Sequence, residues 1–141
     1  MGALNFQNLK KTYTVNDGAE IHFNPADVNF VNRMFDLMTL LEKKQKEAPP
    51  SNPEDIFTVA AKRDTEMREA IDKAFEEPVC DKVFGTTNVF SLAGGLPICM
   101  NFLMAVIDEI DAAADTERKI SPTAAEYLKK YEDKYGSYIK K

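Results

Sequence analysis

Between Leu9 and Phe23 the chain changes character at nearly every residue. Leu9, Lys11, Tyr13 and Val15 alternate with polar neighbours, and so do Ala19, Ile21 and Phe23. A period of two is the mark of a strand with one covered face. Asn16-Asp17-Gly18 separates the two runs. A three-residue loop pairs Val15 with Ala19 and Tyr13 with Ile21, whereas a two-residue Asp-Gly turn pairs Val15 with Glu20 and mixes the faces. The pattern therefore predicts a β-hairpin over 5–23, with a three-residue loop and Gly18 at its positive-φ position. His22, the single histidine, falls on the polar face with Thr12 and Thr14 and reads as solvated.

After Phe23 the period changes to three and four. Val28, Val31, Phe35, Met38 and Leu41 form one stripe, with Phe30, Met34 and Leu37 beside it. So wide an apolar face predicts a deeply buried helix from about Pro25 to Glu47, with "EKKQKE" as its solvated end. A second helix is predicted from about Pro53 to Glu77, with Ile56, Val59, Ala60, Met67, Ala70, Ile71, Ala74 and Phe75 on one side. Arg63 interrupts that seam and reads as an ion pair or a snorkelling stem, with an anion contact as the functional alternative. "VCDKVF" predicts a short helix closed by Gly85. Leu96, Cys99, Leu103, Val106, Ile110 and Ala113, widened by Ile98, Phe102 and Ala105, predict a central core helix from about Pro97 to Glu117. A last helix, from about Pro122 to Tyr135, carries the stripe Ala124, Leu128, Tyr131 and Tyr135, which Tyr138 extends.

Three helix starts share one grammar: Asn24-Pro25, Asn52-Pro53 and Ser121-Pro122. Each reads as a capping side chain followed by Pro at the first helical position, where a missing N–H costs nothing. Asn24-Pro25-Ala26 also matches the pore signature of water channels. The longest apolar run, Leu96 to Ile107, is far short of the roughly 20 residues of a spanning helix, so the channel reading fails and no membrane is expected. Gly94-Gly95 reads as a tight turn, because no phosphate-loop residues accompany it.

The chain has 141 residues, which predicts a single domain over 1–141: the hairpin, a helical core over 25–118, and an amphipathic helix and tail over 120–141. The fold class is α+β, mostly α, with the hairpin packed on a bundle of four to five helices. The net charge of −5 is uneven. Residues 48–77 hold four basic and eight acidic side chains, 96–119 hold two and five, and 120–141 hold five and three. An acidic body without a basic stripe excludes nucleic acid as an expected partner. Cys80 and Cys99 stand apart from any CxxC pattern and read as buried free thiols in a reducing cytoplasm.

Catalytic chemistry is not spelled out. The sequence has no HExxH, no His/Cys cluster, and no Ser in a recognisable triad context. Paired carboxylates such as Asp108, Glu109, Asp111 and Asp115 read as a solvated helix face. The expectation is a non-enzymatic protein without metal or cofactor, acting through apolar and aromatic surface. The candidate partner-binding residues are Leu128, Tyr131, Tyr135 and Tyr138, since Tyr joins a large contact area to a polar tip. The same stripe equally fits a helix that closes the protein's own core.

The order of these segments resembles a family. A short hairpin feeds "IHFNPADVNFVNRMFDLM"; a helical region follows, then "CDKVFGTTNVFSLAGGLPICMNFLMAVIDEI". Over residues 5–118 this is similar to the tail assembly chaperones of long-tailed phages and prophages of Gram-positive bacteria. The resemblance implies a small protein of the bacterial host's cytoplasm that binds the tape-measure protein during tail morphogenesis, with tail-tube subunits as a second candidate partner. It implies no cofactor, and self-association stays open. The rival expectations are a structural tail or head-completion component of the virion, or a small phage regulatory protein.

Overall fold

A computed structural model describes residues 1–8 and 10–120, together with Lys129 and Asp133. Within them, β1 (Lys11–Val15) and β2 (Ala19–Phe23) form an antiparallel hairpin that leads into helices α1 (Val28–Gln45), α2 (Ile56–Phe75), α3 (Val79–Phe84) and α4 (Ile98–Ile120). A second hairpin, β3 (Leu92–Ala93) and β4 (Leu96–Pro97), precedes α4. The architecture is α+β and mostly helical, as the periodicity predicts. Of the last predicted helix only Lys129 and Asp133 are described, both helical and exposed.

The first hairpin has the predicted register, with Val15 opposite Ala19 and Tyr13 opposite Ile21. Its turn differs in one respect. The left-handed residues are Asn16 (φ 50°) and Asp17 (φ 59°), not Gly18. Two successive positive φ values make the mirror-image turn that suits the strands' twist, and Asn and Asp tolerate that region better than other side chains. The Gly18 N–H closes the turn on the Val15 carbonyl at 3.0 Å. A Cβ on Gly18 would meet only ordinary contacts, the nearest at 3.7 Å. Gly18→Ala is therefore expected to leave the melting temperature almost unchanged, while Asn16→Val should cost about 1–2 kcal/mol. Equal losses from the two variants in thermal unfolding would contradict this turn.

The helix starts also need correction. Asn24 does not cap α1. Its side-chain oxygen accepts the Ala26 N–H at 2.9 Å and its carbonyl accepts the Asp27 N–H at 3.1 Å, so residues 24–27 form a turn. Asp27 is the cap: its carboxylate accepts the Asn29 N–H at 3.0 Å, and α1 starts three residues later than predicted. Asn52 caps as predicted, accepting the Glu54 N–H at 3.1 Å, but Pro53–Asp55 is a 3-10 turn and α2 proper begins at Ile56. The first turn of α2 stands clear of the bundle, so Ile56, predicted to be on the core seam, is half exposed. Lys44, predicted to be in a solvated end, is buried and lies 3.6 Å from Glu66 of α2. Arg63 is an ion pair, 3.4 Å from Glu47.

The core gathers α1, the C-terminal half of α2, and α4. Met34, Met38, Leu41, Met67, Ile71, Leu103 and Ile107 are fully buried. Six rings thread these elements together. Tyr13 stacks on Phe23 (centroids 4.2 Å apart), Phe23 on Phe30 (4.9 Å), and Phe30 meets Phe75 edge-on (5.3 Å). Phe75 then meets Phe102 (5.7 Å), and Phe102 meets Phe84 edge-on (5.6 Å). Each such pair adds about 0.5–1.5 kcal/mol beyond the area it buries. The hairpin is thus tied to each of α1, α2, α3 and α4 through one Tyr and five Phe rings.

The segment between α3 and α4 is clamped by α2. Gly85, at φ 57°, ends α3. Arg68 bridges to the Gly85 carbonyl (2.8 Å), the Thr87 carbonyl (2.6 Å) and Asp81 (3.2 Å), and pairs with Asp64 at 3.2 Å. Asp64 in turn accepts the Val89 N–H at 2.7 Å. Asn88 donates to the Ala60 carbonyl at 3.2 Å and accepts the Phe90 N–H at 2.9 Å. The clamp sets up β3 and β4, which pair Leu92 with Pro97 and Ala93 with Leu96 across Gly94-Gly95. Both glycines have positive φ, 65° and 86°, which the two-residue turn requires. The predicted turn is thus a small hairpin, and Leu96, predicted in the core stripe of the following helix, is partly exposed in β4.

Candidate binding groove

Among the described residues, one face of α4 is left open. Ile98, Phe102, Ala105, Glu109, Ala113 and Thr116 follow one another at three-four spacing and form the floor of a groove. β1 runs along the opposite bank. At one end lies a recess of about 380 Å³, walled by Val15, Val83 and Phe84 against Ile98, Phe102 and Ala105. The middle section, about 230 Å³, lies between Tyr13 and Val15 on one side and Phe102, Ala105, Val106 and Glu109 on the other. One turn of α4 further on, about 310 Å³ opens between Lys11, Pro25 and Ala26 and Ala113, Thr116 and Glu117. From Ile98 to Glu117 the groove follows about 28 Å of helix.

Its origin is local. On the inner face of the hairpin, Ile21 and Phe23 of β2 are buried, while Tyr13 and Val15 of β1 are only half covered. Small residues, Ala105 and Ala113, leave α4 low beneath them. The open edge of β1 adds polar groups. The Glu20 carbonyl and His22 N–H of β2 point away from β1, to Lys82 at 3.5 Å and Glu77 at 2.9 Å. In an antiparallel ladder the residues opposite them, Thr14 and Thr12, must turn their own N–H and C=O groups outward as well. Among the described residues no strand pairs with that edge. The Tyr13 hydroxyl is buried without a hydrogen-bond partner among the described residues. Burial first, and then the charge of Glu109, raise its pKa above the ordinary 10.0, so it remains a protonated donor.

His22 is not simply solvated. Its backbone N–H and its Nδ1 sit 2.9 Å and 3.3 Å from the Glu77 carboxylate, anchoring β2 to the α2–α3 junction. Burial pushes the Glu77 pKa up, but the His22 backbone and ring contacts and the charge of Lys82 outweigh it and hold it below the ordinary 4.5. A depressed carboxylate stabilises the fold above its unfolded pKa, and the contribution fades as pH falls through the folded value. Denaturant unfolding followed from neutral pH down through the carboxylate range should therefore show a loss of stability that is smaller in Glu77→Gln. An identical pH dependence in both proteins would remove Glu77 from that role.

Cys80 and Cys99 are buried free thiols. Burial above all raises both pKa values, that of Cys99 to about 12 and that of Cys80 further, the latter helped by Asp72. Protonated and enclosed, they are poor nucleophiles. Among the described residues no group of three or more His, Cys, Asp or Glu side chains is placed to hold a metal ion, and no helix is long and apolar enough to cross a membrane.

The described residues do not bear on the predicted contact stripe. Leu128, Tyr131, Tyr135 and Tyr138 lie outside the described residues. Of the groove floor, Ile98, Phe102, Ala105 and Ala113 were visible in the sequence as members of core stripes and Glu109 as part of a solvated face. The signal that sets the floor apart is size: Ala at 105 and 113, among the larger Leu103, Val106 and Ile110 of the same helix. The chain matches no protein-family model, no curated protein and no solved structure.

Proposed function

We propose that this protein is a non-enzymatic assembly chaperone that shelters an apolar segment of a client protein in the groove between β1 and α4. The observation that carries the reading is that groove: an apolar floor beside a strand edge that no described strand pairs, with Glu109 and Glu117 along it. Such a site takes an extended or helical segment through side-chain burial and backbone hydrogen bonds, and its acidic residues favour basic flanks. The resemblance of residues 5–118 to tail assembly chaperones supplies the client: the tape-measure protein of a long-tailed phage, with tail-tube subunits as a second, in the cytoplasm of the bacterial host.

The test uses tape-measure fragments co-expressed with the full chain. Ala105 is exposed on the groove floor, so Ala105→Glu places a charge there without opening the core. Capture of the fragments should fall by about tenfold or more while the melting temperature holds. Undiminished capture would rule out the groove as the client site. Mass spectrometry of purified particles tests the class: a chaperone is absent from the virion, and a stoichiometric presence would make the protein a structural component instead.

A further inference from the structure

The first eight residues form an exposed arm. Met1, Leu4 and Phe6 are among the most exposed large apolar side chains described, Leu4 at 92% and Phe6 at 81%. In "ALNFQN" the apolar residues Leu4 and Phe6 alternate with Asn5 and Gln7, which is the period of a strand with one apolar face. The arm leaves the body at a fixed point. Asn8 is held by the Asn24 side chain, which donates to its carbonyl at 2.7 Å, and Asn8 Oδ1 accepts the Lys10 N–H at 3.2 Å. Gln7 borders the far end of the groove, beside Ala113 and Thr116.

The groove offers what this arm lacks. Thr12 and Thr14 present outward backbone donors and acceptors on β1, and beneath that edge lie Phe102, Ala105 and Val106. A strand added there would satisfy the edge and lower alternate side chains onto α4. We propose that the arm of one copy of this chain adds to β1 of a second copy, with Leu4 and Phe6 seated in that copy's groove. Two such exchanges about a twofold axis close a dimer, because donor arm and acceptor groove belong to every copy. The occupant is a second copy because this one chain holds both an exposed segment with the alternation of a strand and, among the described residues, a strand edge without a partner above an apolar floor. The inference depends on the groove but not on the identity of any client. In the dimer the groove would be capped until a client displaces the arm.

Sedimentation of the full chain over a range of concentrations should show a monomer–dimer equilibrium. Leu4→Asp with Phe6→Asp alters only exposed positions, so the fold should survive, and dimerisation should weaken by about tenfold or more. A cross-linking experiment locates the contact. Chains carrying Phe6→Cys, mixed with chains carrying Ala105→Cys and oxidised, should form a disulfide between copies; the native thiols are buried. A full chain that stays monomeric at every concentration overturns the proposal. So does a dimer indifferent to the arm variant, or one that gives no Phe6→Cys to Ala105→Cys bond. A chain carrying both cysteines that closes the bond within itself places the arm on its own groove, and overturns the exchange equally. Loss of tape-measure binding with an intact arm-dependent dimer would instead count against the client reading alone.

Discussion

Leu103→Ala should lower the free energy of unfolding by about 2–5 kcal/mol, read as a shift in denaturant midpoint at constant slope. Leu103 is fully buried on α4 and belongs to the cluster that contains Met34, Met38 and Ile107. Truncation removes the burial of the leucine side chain and leaves a void among neighbours that α1 and α2 hold in place. The sharpest control is two residues away. Ala105 is exposed on the groove side of the same helix, so Ala105→Ser should stay within about 0.5 kcal/mol. Comparable losses at both positions would mean that α4 is rotated about its axis relative to this description, and the groove would go with it.

Arg68→Ala should cost about 1.5–3 kcal/mol, the range for losing hydrogen bonds made by a charged, half-buried group. The side chain is 16% exposed and Asp64 is 20% exposed, so little solvent screens them. The loss has three parts: the pair with Asp64, two carbonyls left without their donor, and the contact with Asp81 of α3. Arg68→Lys should recover only a fraction, because a single ammonium does not span Asp64, Gly85, Thr87 and Asp81 together. The effect should be spatially uneven. Amide hydrogen exchange should rise first between Gly85 and Pro97, before the rest of the core is affected. Uniform loss of protection would mean that the clamp holds nothing in particular.

The hairpin register and the α1 stripe were legible because they rest on repetition. A slip of one residue would send Tyr13, Val15, Ile21 and Phe23 to the wrong face together. Single-residue geometry was less legible. Gly18 is the residue that most easily adopts positive φ, yet Asn16 and Asp17 take that conformation, since turn twist decides where it falls. Asn24 before Pro25 suits a cap and a side-chain-closed turn equally, and Asp27, three residues on, makes the better cap. Lys44 looked solvated because its partner, Glu66, is on another helix. The clamp on residues 85–90 joins Arg68 and Asp64 to backbone groups, which leave no trace in side-chain identity. The groove was hidden for a different reason. Three-four spacing tells which residues share a face of α4, but not whether a neighbour fills the space above Ala105.

Cys80 and Cys99 give the molecule a built-in clock. One thiol sits in the first turn of α3 and the other near the start of α4, at the two ends of the clamped segment. Each is enclosed and protonated, so a thiol reagent must wait for the fold to open around it. The speed of labelling, divided by the reagent's rate with an exposed thiol, then gives the opening equilibrium. If the segment lifts as a unit, both thiols are labelled together and faster than the whole protein unfolds. If only global unfolding exposes them, both follow the unfolding equilibrium and slow in step with every stabilising substitution. A chain without tryptophan thus carries, in two otherwise silent sulfurs, a direct gauge of the motion beside its groove.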